Sequence, residues 1–115
     1  MPDAPKPLRT WPATVLAAAL LFSMPAAADC VLPAAPSHVP DGHSASEQEM
    51  RAAMRTVQHF NDDVEEYIKC LEFQQRRNLL SVGDKAKQRT DALDSLATVV
   101  ERFNAQVRIF KSRQS

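Results

Sequence analysis

The prolines divide this chain in two. All eight lie at or before Pro40, and none follows in the rest of the 115 residues. Proline lacks an amide proton and clashes with the preceding helical turn, so helix interiors exclude it. Long helices therefore belong after Pro40. From His43 onward only one glycine, Gly83, interrupts the stretch.

Ser46-Glu47-Gln48-Glu49 opens that stretch as a capping box. The Ser46 hydroxyl accepts an early amide proton, and Glu49 reaches back to the Ser46 amide. Ser44 is the other candidate cap. Apolar residues then recur at helical spacing through Met50, Met54, Val57, Val64, Ile68 and Leu71, and the pattern runs to Leu79-Leu80. Ser81-Val82-Gly83-Asp84 breaks it, with Gly83 as C-cap and Asp84 as the next N-cap. Leu93, Leu96, Val100, Phe103, Val107 and Phe110 alternate steps of three and four, the a/d seam of a heptad. The spacing predicts helices over about 46–80 and 84–112.

The two seams match as an antiparallel pair. Leu71 with Leu93, Ile68 with Leu96, Val64 with Val100, Val57 with Val107 and Met54 with Phe110 share one index sum, with the fold-back at Val82. Asn61 then faces Phe103 as a polar layer, and neighbouring Phe60 is the apolar substitute. Charges favour the same orientation. Glu47 and Glu49 start the first helix where Arg108, Lys111 and Arg113 end the second, and Asp62, Asp63, Glu65 and Glu66 lie level with Arg102, though Glu101 is also there. Exposed pairs of this kind contribute only ~0.2–1 kcal/mol each, enough to select an orientation.

Residues 1–28 read as a secretory signal peptide. Lys6 and Arg9 supply the positive region, Trp11 to Met24 the apolar one, and Ala26-Ala27-Ala28 the small-residue cleavage site. The clean apolar core is shorter than the ~20 residues a membrane span requires, so no transmembrane span is expected after cleavage. Asp29 is not the small residue that lipidation of Cys30 needs. The expected location is periplasmic or secreted.

In an exporting chain, two cysteines point most simply to one disulfide, Cys30–Cys70, with a free reactive thiol as the alternative. Residues 29–45 carry Pro33, Pro36 and Pro40, which favour extended or polyproline II backbone, and Pro40-Asp41-Gly42 signals a turn. The lengths allow the bond. Cys70 lies about 36 Å along a helix from Ser46 at 1.5 Å per residue. Polyproline II from Cys30 to Ser46 reaches about 50 Å. The segment can double back, so that the prolines, Val31, Leu32 and Val39 cover the edge carrying Phe60, Tyr67 and Cys70. The expected fold class is all-α: a coiled-coil-like antiparallel two-helix hairpin spanning 46–113, with a proline-rich extended N-terminal segment pinned by the disulfide.

Composition excludes several chemistries. Two glycines cannot build a phosphate-cradling loop. Fourteen basic residues against 14 acidic give no general case for nucleic-acid binding. The acidic run from Asp62 to Glu66 reads as a solvated face, no serine sits in a nucleophile elbow, and there is no C-x-x-C. No enzymatic activity and no cofactor are expected. His38 and His43, flanking Asp41, are the basis of an alternative reading as a periplasmic metal-binding protein; His59 lies far from them. The predicted hairpin tip is basic, with Arg76, Arg77, Lys85, Lys87 and Arg89 against Asp84. It offers a surface for anionic lipid headgroups, lipopolysaccharide or an acidic partner. Phe73 and Ile109 fall on the outer faces. The leading expectation is a protein-interaction or structural module that binds a protein partner or self-associates.

Several motifs in order carry a resemblance: Cys30, Pro40-Asp41-Gly42, Ser46-x-x-Glu49-Met50, Tyr67-x-x-Cys70-Leu71-Glu72, and Arg102-Phe103-Asn104-Ala105-Gln106-Val107-Arg108-x-Phe110-Lys111. Together the chain resembles a group of small, uncharacterised secreted proteins of proteobacteria. The resemblance spans most of the chain after residue 28 and implies periplasmic export, with no activity, cofactor or catalytic residue to carry over. The chain departs from that pattern at His43-Ser44, where a small residue and threonine are expected, which leaves the N-cap open between Ser44 and Ser46. Small helical periplasmic chaperones offer a broader analogy, but their Leu-Thr-x-x-Gln repeats are absent.

Overall fold

The structure, a computed structural model, describes residues 29–114 and Ala4; the segment read as a signal peptide lies outside the described residues. Two α-helices follow a non-helical leader: α1 from Glu47 to Arg76 and α2 from Val82 to Gln114. They span about 45 and about 50 Å at 1.5 Å per residue and pack against each other as a hairpin, with no strand among the described residues.

Ser46 caps α1. Its Oγ accepts from the Glu49 amide at 3.1 Å, and the Glu49 carboxylate accepts from the Ser46 amide at 2.8 Å. The other end corrects the predicted boundary. α1 stops at Arg76 instead of 80, because Asn78 turns left-handed at φ 59°. The Leu79 amide donates to Gln74 O and the Asn78 amide to Gln75 O, the paired bonds of a Schellman cap. Asparagine tolerates that conformation better than other non-glycine residues. Ser81, in place of Asp84, then caps α2: its Oγ accepts from the Asp84 amide at 3.0 Å. Gly83, predicted to end α1, sits within the first turn of α2 with nothing near a would-be Cβ. Its backbone is one any residue adopts, so Gly83→Ala should raise stability by about 0.5–1 kcal/mol through a less flexible unfolded chain. Thermal unfolding of the two proteins checks this.

The inward stripe is displaced from the predicted one. On α1 the buried residues are Met50, Phe60, Val64, Tyr67 and Leu71, with Ala53 and Val57 half-buried between them, an unbroken alternation of three and four. Phe60 takes the layer assigned to Asn61, whose amide instead donates to Glu65 at 3.3 Å. Met54 stands 45% exposed, outside the core. On α2 the buried residues are Ala92, Val99, Phe103 and Phe110, while Leu93 and Val100 move to the half-buried flank. Size explains the displacement. Leu71 is fully buried in the same cluster as Ala92, and a small residue there lets the backbones approach while bulkier Leu93 packs from the side. The Tyr67 hydroxyl reaches Gln88 Oε1 at 3.2 Å, so the buried ring keeps a partner for its polar end.

Two clusters make up the core. One holds Phe60, Val64, Tyr67, Leu71, Ala92 and Val99; the other holds Ala45, Met50, Phe103 and Phe110. Val57 packs against both. The expected cross-helix ion pairs do not form among the described residues. The pairs present, Glu47–Arg51, His59–Asp63, Glu66–Lys69 and Lys87–Asp91, all lie within one helix.

The leader doubles back as expected. Cys30 and Cys70 are bonded with Cα atoms 5.7 Å apart, and from there the chain returns along α1 toward its start. Every third residue, Cys30, Pro33, Pro36 and Val39, is half-buried, while the residues between them are exposed. That is one face of a three-residue-per-turn polyproline helix. Val31 and Leu32, expected to cover the core, fall off this face and are 81% and 55% exposed.

The turn at Asp41 fastens the leader's far end. Asp41 O accepts from the Ser44 and Ala45 amides, and its carboxylate accepts from the His43 amide at 2.9 Å. The Gly42 amide donates to Gln106 Oε1 at 2.9 Å. Arg113 lies over the Phe110 ring and donates to the carbonyls of His43 and Ala45. Ile109, predicted on an outer face, is half-buried beneath Gly42. A Cβ on Gly42 would lie 2.2 Å from Gln106 O and 3.0 Å from Phe110 N, both backbone atoms of α2. Glycine is required there by space, since its φ is not positive. Gly42→Ala should therefore lift the turn off α2 at a cost of about 1–3 kcal/mol. Hydrogen exchange at the Ser44 and Ala45 amides, compared with wild type, tests where the damage falls.

Candidate functional site

The hairpin apex is the most distinctive surface. Arg77, Asn78, Leu79, Leu80 and Ser81 join the helices. Arg76 and Arg77 close α1, while Lys85, Lys87 and Arg89 stand in the opening turns of α2. The predicted basic tip is thus assembled at one end of the molecule. Its members differ in their partners. Lys87 donates to Asp91 at 2.9 Å, a hydrogen bond that raises its pKa. The Arg77 guanidinium lies 5.5 Å from the centroid of the Phe73 ring. Arg76, Lys85 and Arg89 enter no ion pair among the described residues.

Charge alone does not describe this end. Leu80 packs against the core, but its neighbour Leu79 is 59% exposed, Val82 is 68% exposed and Phe73 is 48% exposed. Phe73 and Leu79 occupy the positions that commonly close over each other in a Schellman cap, yet both stay open to solvent. These apolar residues sit among the cations. Reading charge from the sequence finds the arginines and lysines; it misses Leu79 and Val82, which look like the end of a helical pattern.

A second feature is the open crevice between the leader and α1. One part, of about 500 Å³, is lined chiefly by Pro36, Val39, Ala53, Val57 and Phe103. A neighbouring part of about 460 Å³ reaches His59, Phe60 and Asp63. His38 lines the first part and His59 the second. His59 Nδ1 is 3.3 Å from Asp63 Oδ1; hydrogen bonding involving its own backbone, followed by the Asp63 carboxylate, raises its pKa. His38 and His43, the proposed metal pair, are both exposed. Among the described residues no three His, Cys, Asp or Glu side chains are grouped so as to hold a metal ion. Asp62, Asp63, Glu65 and Glu66 are likewise exposed. No helix among the described residues is long and apolar enough to cross a membrane.

Fold and site together define a disulfide-clamped α-helical hairpin with a basic, partly apolar apex. Compared with family models, with curated proteins and with solved structures, the chain gives no match.

Proposed function

We propose that this chain is a non-enzymatic protein-interaction or structural module, exported through its N-terminal 28 residues to the periplasm or beyond. The Cys30–Cys70 bond carries the reading. Disulfides persist in oxidising compartments, and this one joins the leader to the helices. The Lys6/Arg9, apolar and Ala26-Ala27-Ala28 pattern supports the same destination, as does the resemblance to small secreted proteins of proteobacteria. The interaction role draws support from the open crevice beside Thr56, where half-buried Val39 and Val57 line an apolar strip above buried Phe103. A stiff hairpin presenting such a strip suits a protein partner or a second copy.

Two measurements test this. Fractionation with thiol mapping should find the protein outside the cytoplasm with both cysteines paired; cytoplasmic retention with free thiols would end the export reading. A photo-cross-linker at Thr56 in the exporting cell should give a discrete adduct. No adduct, together with a strictly monomeric species by light scattering at high concentration, would refute the interaction role.

A further inference from the structure

The apex carries a more specific inference, independent of the crevice. We propose that it docks on an anionic phospholipid bilayer, with Leu79 and Val82 entering the headgroup region and Arg76, Arg77, Lys85 and Arg89 engaging the lipid phosphates.

Three observations support this. First, the charge is one-sided: between residues 76 and 89 five cations face a single acid, Asp84. Second, helix electrostatics explains only two of the five. A helix carboxyl end favours cations, which accounts for Arg76 and Arg77, but an amino end favours acids. Near the start of α2, Lys87 is accounted for by Asp91, but Lys85 and Arg89 enter no ion pair among the described residues, so local pairing gives no reason for them. Third, the exposed apolar residues stand at the turn itself. Leu79 is 59% and Val82 68% exposed, with Arg77 and Lys85 within three residues along the chain. A protein partner of acidic character would be gripped by a groove or by aligned donors. A pair of apolar side chains ringed by cations instead matches a flat boundary with phosphates outside and acyl chains beneath. Lysine and arginine stems can lie along such a boundary with their charges outward.

The test uses the full chain purified oxidised after export, so that any retained N-terminal residues are common to all variants. Sedimentation with phosphatidylglycerol-containing vesicles is compared with pure phosphatidylcholine vesicles. Wild type should partition to the anionic vesicles and be released by salt. Arg76→Glu with Lys85→Glu should weaken partitioning by about fivefold or more per cation removed, the equivalent of about 1 kcal/mol each. Leu79→Ser with Val82→Ser keeps every charge and should weaken it about tenfold. All these side chains are exposed or partly exposed, and unchanged circular dichroism and intact disulfide confirm folding of each variant. Equal partitioning to neutral and anionic vesicles overturns the proposal. So does a charge or apolar variant that binds like wild type, or retention on purified lipopolysaccharide with none on phospholipid vesicles. Failure here with a Thr56 adduct intact would leave the protein-interaction reading standing.

Discussion

Cys70→Ser, or reduction of the native bond, should lower the unfolding free energy by about 4 kcal/mol. The bond closes a loop of sequence separation 40, and the chain-entropy model assigns a loop of that length about this value. The effect is large because the rest of the molecule is small. Two helices and a short leader bury limited apolar surface, and domains of this size are marginal. The loss should also be polarised. Without sulfur, Pro33 and Pro36 lose their tether to α1, whereas the far end keeps the Gly42–Gln106 and Arg113 hydrogen bonds. Near-ultraviolet circular dichroism of Tyr67, close to the bond, should change before the helix signal does. Equal melting temperatures for oxidised and reduced protein would contradict the clamp.

Leu71→Ala should be nearly as damaging, at about 2–5 kcal/mol. Leu71 has no exposed surface, and its cluster includes Ala92, which is too small to fill the space it vacates. Its immediate neighbour in the chain is Cys70, so the backbone there is already tied to the leader and has little freedom to collapse inward. Phe73→Ala is the control. That ring is half exposed and stacks with Arg77, and its removal should change stability by less than about 0.5 kcal/mol, the range of ordinary surface substitutions. Chemical denaturation of both variants, in the oxidised state, separates the two. Comparable losses would mean that the inward stripe does not run through Leu71.

Much of this was legible from local signals. The Ser46 capping box forms as its spacing requires, because its two hydrogen bonds close within four residues. The hairpin follows from two amphipathic stretches joined by a short breaker, and with two cysteines only one intramolecular pairing exists. The errors have physical causes. A helix advances about 100° per residue, so a stripe one position over is nearly as periodic; Leu93 outweighed Ala92 by hydropathy, but closeness of approach favoured the smaller residue. Gly83 is the louder stop signal, yet Asn78 made the left-handed turn, which asparagine tolerates, and the Asn78 and Leu79 amides donate to the carbonyls of Gln75 and Gln74. The leader's face has no local signature, because its period of three falls on Pro33 and Pro36, which carry no strongly apolar side chain.

The candidate apex divides in the same way. Its cations are adjacent to the breaker and were evident in the chain, whereas exposure of Leu79 against burial of Leu80 depends on which way the cap turns. The Ser46 cap is a matter of short-range geometry written into contiguous residues, and the disulfide follows from there being only two cysteines. The inward stripe on each helix, the need for glycine at position 42 and the outward turn of the apical leucine arise from competition among distant surfaces for the same space. Gln106 meets Gly42 across 64 positions of chain, and excluded volume at that meeting has no trace in either neighbourhood alone.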